Sequence, residues 1–194
     1  MTTLEKIYKD LNLKIRTNIV NESSIKGINS GCDLLHHGYH ITYEKYLQPF
    51  VNKKIKLCEI GILCGDKLVI FDKYFKDVTL YGYDINIDII KKTQPKDFLD
   101  KINIKKLDSR DKSQTKFIQE KFDIIIDDGC HRFDSIKKTF NNFYEKLNHN
   151  GIYFNEYVNN KKLKKISSIF DSKNIKYKVE HNNQHSNHII VIFK

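Results

Sequence analysis

NIKYKVEHNNQHSNHIIVIFK (residues 174–194) closes the chain, and its reading decides the fold. Two strand-like runs, NIKYKVEH and NHIIVIFK, flank the polar loop NNQHS, with no room for a helix between them. Strands joined that closely form a hairpin and run antiparallel. The preceding chain follows a different rule. IKLCEIG (55–61), VTLYGYD (78–84), INIKKLD (102–108), FDIIIDD (122–128) and GIYFNE (151–156) are short β-rich apolar runs. Helix-compatible stretches separate them, among them GDKLVIFDKYF (65–75) and SIKKTFNNFYEKL (135–147). Such alternation predicts a parallel sheet with helices on both faces, and near-continuous apolar strands fit burial on both sides. The expected architecture is therefore α/β: a mostly parallel sheet finished by an antiparallel C-terminal hairpin.

Composition bounds the rest. The 194 residues contain two prolines and no Pro/Gly/Ser-rich linker, so a single domain over 1–194 is expected, with an N-terminal helical segment over 1–50. At 40% hydrophobic and 30% charged, the chain reads as soluble and globular. No apolar run is long enough to span a bilayer, and MTTLEKIYKDLNLKIRTNIV has no signal-peptide core, so a cytoplasmic protein without a membrane partner is expected. Cys32, Cys58, Cys64 and Cys130 lie far apart, which implies reduced thiols rather than a zinc site or a disulfide framework. The net charge of +10 raises nucleic acid as a partner. However, the excess is scattered lysine, with Arg16, Arg110 and Arg132 the only arginines, and phosphate-binding stripes are normally clustered and richer in arginine. Nucleic acid is not the expected partner.

Chemistry-bearing residues gather at the ends of the strands. LCEIGILCGDK (57–67) puts Glu59, Gly61 and Gly65 at the first strand-to-helix turn. A dinucleotide site calls for G-x-G-x-x-G, whereas here an acid stands first, which suits a cationic amino-acid ligand better than a pyrophosphate. Asp84 ends the second run, where a carboxylate can accept from both ribose hydroxyls. Asp108, followed by Ser109, ends the third. The fourth run delivers two aspartates, Asp127 and Asp128, then Gly129, Cys130 and His131, and the fifth ends at Glu156. Carboxylates on neighbouring strand ends converge on the crevice in which open α/β sheets bind ligands, and Asp128 with Glu156 could hold a hard divalent ion. Blander roles stay open: the glycines as tight turns, the acids as strand-end or helix caps (with Asp134 or Ser135 as rivals), and His131 as a structural histidine. His181, His185 and His188 are placed in a loop and lack ligand spacing. Cys64 and Cys130 have no base beside them that would mark a nucleophile.

A parallel sheet closed by a hairpin, with acids at three successive strand ends, resembles the class I S-adenosylmethionine (SAM)-dependent methyltransferases. The resemblance implies a Rossmann-like seven-stranded sheet in the order 3-2-1-4-5-7-6. It also implies a SAM site formed by Glu59, Gly61, Gly65, Asp84, Asp108, Ser109 and Asp127. Within that class, Asp127-Asp128-Gly129-Cys130-His131 resembles the D-D-G-S-H motif of the Mg²⁺-dependent macrolide sugar O-methyltransferases (mycinamicin and macrocin types). Glu156 falls where that family has its strand-five glutamate. GCDLLHHGYHITYEKYL echoes its upstream segment through Asp33, His37, Tyr39, Tyr43 and Glu44, with Tyr43 on the cofactor side. The similarity runs over about residues 27–157. Carried over residue by residue, it makes His131 the general base, Asp128 its catalytic companion, and Asp128 and Glu156 the metal ligands, with Mg²⁺ admitted as a second cofactor. The chain departs from the family at Tyr157 (an acid there), Cys130 (a serine) and Leu34 (a lysine). The implied acceptor is a sugar or glycoside hydroxyl, and a homo-oligomer is admitted. Methylation of RNA or protein and a non-catalytic SAM-binding role are the alternatives.

Overall fold

The sheet is built outward from β1 (Lys54–Ile60), which pairs in parallel with β2 (Asp77–Asp84) on one side and β4 (Phe122–Asp127) on the other. In this computed structural model, residues 1–11, 34, 35, 37–181 and 187–194 are described; Arg16, Cys32, Asp33 and His185 lie outside them. Beyond β2 lies β3 (Asn103–Lys106), and beyond β4 lies β5 (Leu147–Asn159), both parallel. β7 (Asn187–Phe193) then inserts antiparallel between β5 and β6 (Lys176–His181). The resulting order, β3-β2-β1-β4-β5-β7-β6, is the one expected.

Because side chains alternate across a strand, the sheet has two apolar faces and each meets its own helices. Leu57, Ile124, Ile126 and Phe154 pack on one face with α1 (Thr3–Asp10), α2 (Tyr39–Leu47) and α3 (Asp66–Tyr74), through Leu4, Tyr43, Leu68 and Phe71. Cys58, Ile125, Tyr153 and Ile190 pack on the other face with α7 (Phe133–Phe143) and α8 (Asn160–Ser172), through Ile136, Phe140, Ile166 and Phe170. The short helices α4 (Asp88–Thr93), α5 (Lys96–Leu99) and α6 (Lys112–Thr115) fill the connections beside β2 and β3. Among the described residues no helix is long and apolar enough to cross a membrane.

The structure differs from the sequence reading in several places. β3 is shorter than 102–108, so Asp108 lies past its end in a turn. β5 is longer than 151–156, with a register shift between Asn155 and Val158. A shift of this kind re-aims the side chains it carries. Tyr157 sits inside it at φ 56°, a left-handed conformation that a bulky residue rarely adopts. The histidine placement is corrected: His181 and His188 stand opposite each other on β6 and β7, because β7, buried continuously over Ile189–Ile192, carries its pairing with β6 out to both. His188 is buried and within 2.8 Å of Asn160. The helix-cap reading of the paired aspartates also gives way. α7 starts after Arg132 with no side-chain cap, and both carboxylates bond elsewhere.

Candidate active site

The first turn is shaped by backbone contact. Gly61 (φ 83°) donates its N–H to the Tyr83 carbonyl (2.8 Å). A Cβ there would fall 2.4 Å from the Asp128 carbonyl oxygen, so only glycine lets the β1 turn lie against the β4 end. Asp84 braces the same turn. Its Oδ2 accepts from Leu63 N–H (3.1 Å) and its Oδ1 from Asn86 N–H (2.9 Å). Each oxygen keeps a further lone pair for a ligand hydroxyl. Gly65 (φ 78°) opens α3 in close contact with Ile90.

Past β3, Asp108 accepts a bidentate pair from Arg110, Nε at 2.8 Å and Nη2 at 2.7 Å. This guanidinium holds its carboxyl below the usual range. Ser109 is buried, with its hydroxyl 2.9 Å from that of Thr139 on α7. These two side chains are thus engaged within the protein.

The adjacent aspartates at the β4 end point to opposite faces, as neighbours on a strand do. Asp127 turns toward the α7–α8 side. It accepts from Tyr153 Oη (3.0 Å), Asn155 Nδ2 (3.2 Å) and Gly129 N–H (3.3 Å). Burial pushes its carboxyl up to about 7 although these hydrogen bonds pull the other way. Asp128 turns toward α3. There it meets Glu156, on the same face of β5 as Phe154, and Glu59 from the end of β1. Tyr43 on α2 donates its hydroxyl to Glu156 Oε1. The neighbouring Glu44 accepts the N–H groups of Thr3 (3.3 Å) and Leu4 (3.1 Å), tying α1 to α2.

At the meeting point of these acids lies a residue that sequence reasoning missed. Lys67 Nζ is 2.8 Å from Asp128 Oδ2, 2.8 Å from Glu156 Oε1 and 3.4 Å from Glu59 Oε1. Its side chain is 8% exposed. Burial alone would lower its ammonium, but Asp128, Glu156 and Glu59 outweigh that and hold it well above its ordinary value. Burial raises Glu59 to about 8 and Glu156 to about 7, with Lys67 opposing both shifts. Among the described residues, Glu59 Oε2 and Glu156 Oε2 remain buried without a hydrogen-bond partner, which leaves room for a ligand's polar group. A signal for Lys67 did exist: a cation in the first turn of a helix opposes the helix dipole, so its charge must be answered by something outside the helix.

His131 stands at the mouth of the crevice, partly exposed. Its Nε2 is 3.8 Å from Asp128 Oδ1, and its ring stacks on Tyr157 at 4.5 Å between centroids. His37 and Tyr39 pack against the same Tyr157 ring, at 4.8 and 5.7 Å. Lys162 of α8 clasps the backbone beneath, donating to the carbonyls of His131 (2.9 Å) and Tyr157 (2.6 Å). The Cys58 and Cys64 thiols are buried, and that of Cys130 is exposed.

The acids set apart for a metal, Asp128 and Glu156, do come together, but around an ammonium. Among the described residues no group of three or more His, Cys, Asp and Glu is arranged to hold a metal ion. With Lys67 at their meeting point, the donor set does not fit Mg²⁺, which needs near-octahedral oxygens at about 2.0–2.1 Å.

No protein-family model matches the chain. Among curated proteins, 8-demethyl-8-alpha-L-rhamnosyl tetracenomycin-C 2'-O-methyltransferase of Streptomyces olivaceus is 26% identical over 127 residues, covering 60% of this chain. Among solved structures, MycE methyltransferase from the mycinamycin biosynthetic pathway, in complex with Mg and SAH, superposes with a TM-score of 0.65 at 20% identity over 80% of this chain. A further MycE structure also holds Mycinamycin VI. Ribosomal protein L11 methylase of Lactobacillus delbrueckii subsp. bulgaricus superposes equally well, with a TM-score of 0.65 at 13% identity over 81% of this chain and 79% of its own. The chain spans 32% of the tetracenomycin enzyme and 49% of the MycE chain. The fold is that of the class I methyltransferases, and within them the chain resembles the macrolide sugar O-methyltransferases.

Proposed function

We propose that the chain is a SAM-dependent O-methyltransferase acting on a sugar or glycoside hydroxyl, with His131 as general base. One observation carries this reading. A glycine turn braced by Asp84 lies against the β4 end, which presents Asp128 and His131 to the same crevice. The MycE complexes with Mg and SAH, and the 2'-O-methyltransferase likeness, support it. The residues present suit SAM. Gly61 leaves room for close backbone approach, Asp84 retains lone pairs for ribose hydroxyls, and the open oxygens of Glu59 and Glu156 are acceptors for an ammonium.

When bound, SAM supplies an electrophilic methyl group on a sulfonium. The chain's own residues must then deprotonate and position the acceptor. An alcohol is a poor nucleophile at neutral pH. His131 takes the hydroxyl proton, and Asp128 Oδ1, 3.8 Å from Nε2, stabilises the imidazolium that forms. Tyr157 supplies the platform that fixes the ring plane, and Lys162 fixes the backbone under both. Holding the acceptor in line contributes the rest.

A second reading, methylation of RNA or protein, is favoured by the net charge of +10 and the equal likeness to the L11 methylase. A methyl-transfer screen with labelled SAM over nucleotide sugars, glycosides, RNA and ribosomal protein decides between them. Label in a sugar or glycoside is the expected result; label in RNA or protein alone overturns the acceptor class, and no SAM binding at all overturns the reading.

A further inference from the structure

Lys67 is a buried cation for which neither the fold nor the sequence reading accounts. A lysine ammonium has three N–H donors, and three carboxylates surround this one at 2.8, 2.8 and 3.4 Å. They come from β1, from the residue that follows β4 and from β5, so the contact is made by the tertiary fold and not by local sequence. The stem is fixed as well. Gly65 caps α3, and Asp66 beside Lys67 accepts from Gln94 Nε2 at 2.8 Å. Tyr43 holds Glu156 from the far side.

We infer that Lys67 is a built-in cation that gathers Glu59, Asp128 and Glu156 in place of a divalent metal, so that this site works without one. The inference rests on the methyltransferase reading for what the site does, but not for the metal exclusion. Three acids brought together in a buried site can ionise only with a counter-charge beside them. A metal would supply it by direct coordination, as the Mg in the MycE structures could. Here a side chain supplies it, tethered and always present. A divalent ion could enter only by expelling the ammonium, which its own stem would keep close enough to repel the newcomer. Lys67 is thus a positioning residue: it sets the place of Asp128, and through Asp128 the field at His131.

The test is a Mn²⁺ titration followed by electron paramagnetic resonance, without SAM or acceptor, on the unaltered protein and on Lys67→Met. The unaltered protein should leave Mn²⁺ free up to about 1 mM, whereas Lys67→Met, with its carboxylates released, should bind at least about tenfold more tightly. Micromolar binding by the unaltered protein would overturn the inference, by showing that a metal displaces the lysine. A folded Lys67→Met protein that leaves the ion free would overturn it as well, since the acids would then be no latent metal cage. Should Lys67→Met fail to fold, the unaltered protein's titration decides alone. SAM binding is measured separately, so a failure of the methyltransferase reading appears there and not in the Mn²⁺ result.

Discussion

His131 is partly exposed and packed on Tyr157, which is how a base at a site mouth would be placed and equally how a surface histidine could be. Substitution separates the two. His131→Ala should lower turnover roughly a hundredfold while SAM affinity stays unchanged. The pH–rate profile should lose its rising limb near neutrality, with partial recovery at high pH where hydroxide substitutes. Normal turnover in that variant would make the histidine structural. Asp84 poses a different question, because its oxygens already accept the N–H groups of Leu63 and Asn86. Asp84→Ala removes the ribose acceptor and also unties the turn that cradles the cofactor. A loss of about 2 kcal/mol or more of SAM binding is expected, together with a lower melting temperature. Calorimetric titration that finds SAM affinity intact would refute the assignment. That Glu59, Asp84, Asp128 and Glu156 would gather at one edge of the sheet was legible because each closes an apolar strand-like run, and parallel strands bring such ends together. Which face each would occupy was not legible at Asp127 and Asp128, and Lys67 escaped because its partners lie 8, 61 and 89 residues away.

At the scale of elements, β5 and α8 act together. The register shift at Asn155–Val158 lifts Tyr157 into a left-handed conformation under His131, while Glu156 keeps the α3 side that alternation from Phe154 gives it. Strain of this kind, worth about 1–3 kcal/mol, persists only where the surroundings over-determine it. Here Lys162 provides the constraint, one ammonium holding both carbonyls. Lys162→Met keeps the stem but drops those charge-assisted bonds. Turnover should fall about tenfold, because a small misplacement of the base is costly, while SAM affinity stays within a few fold. Turnover equal to that of the unaltered protein would show that packing alone seats the ring. The strands themselves could be read in advance because burial on both faces leaves little but apolar residues. The shift in β5 could not, since it depends on where β7 resumes its pairing, and that partner lies some thirty residues further along. The hairpin was legible for the opposite reason: its two strands are neighbours in sequence.

At the scale of the whole molecule, the site acids set how stability changes with pH. Asp127, Glu59 and Glu156 are all pushed up by burial, to about 7, 8 and 7, from ordinary carboxyl values of 3.8, 4.5 and 4.5. Between pH 4.5 and 8 the folded protein therefore binds more protons than the unfolded chain. Stability falls with rising pH wherever the folded state holds the extra protons. The contribution of these groups is fully present below about pH 4 and is lost as pH climbs through 7 to 8, by up to about 1.4 kcal/mol per pH unit for each proton. Two effects run the other way. Asp108 and Glu180, held low by Arg110 and by Lys45 with Tyr46, lose their stabilisation only in stronger acid. His188, lowered by burial, gains as pH rises, but it is one imidazole against three carboxyls. Melting temperatures measured from pH 4 to 9 should thus peak on the acid side, near pH 5, and decline toward pH 8. Asp127→Asn, which mimics the protonated acid and can still accept from Tyr153, should flatten that decline. A melting temperature that instead rises from pH 5 to 8 would mean that these carboxyls are ionised and fully paired in the folded protein. The buried cluster around Lys67 would then carry more compensating positive charge than one ammonium provides.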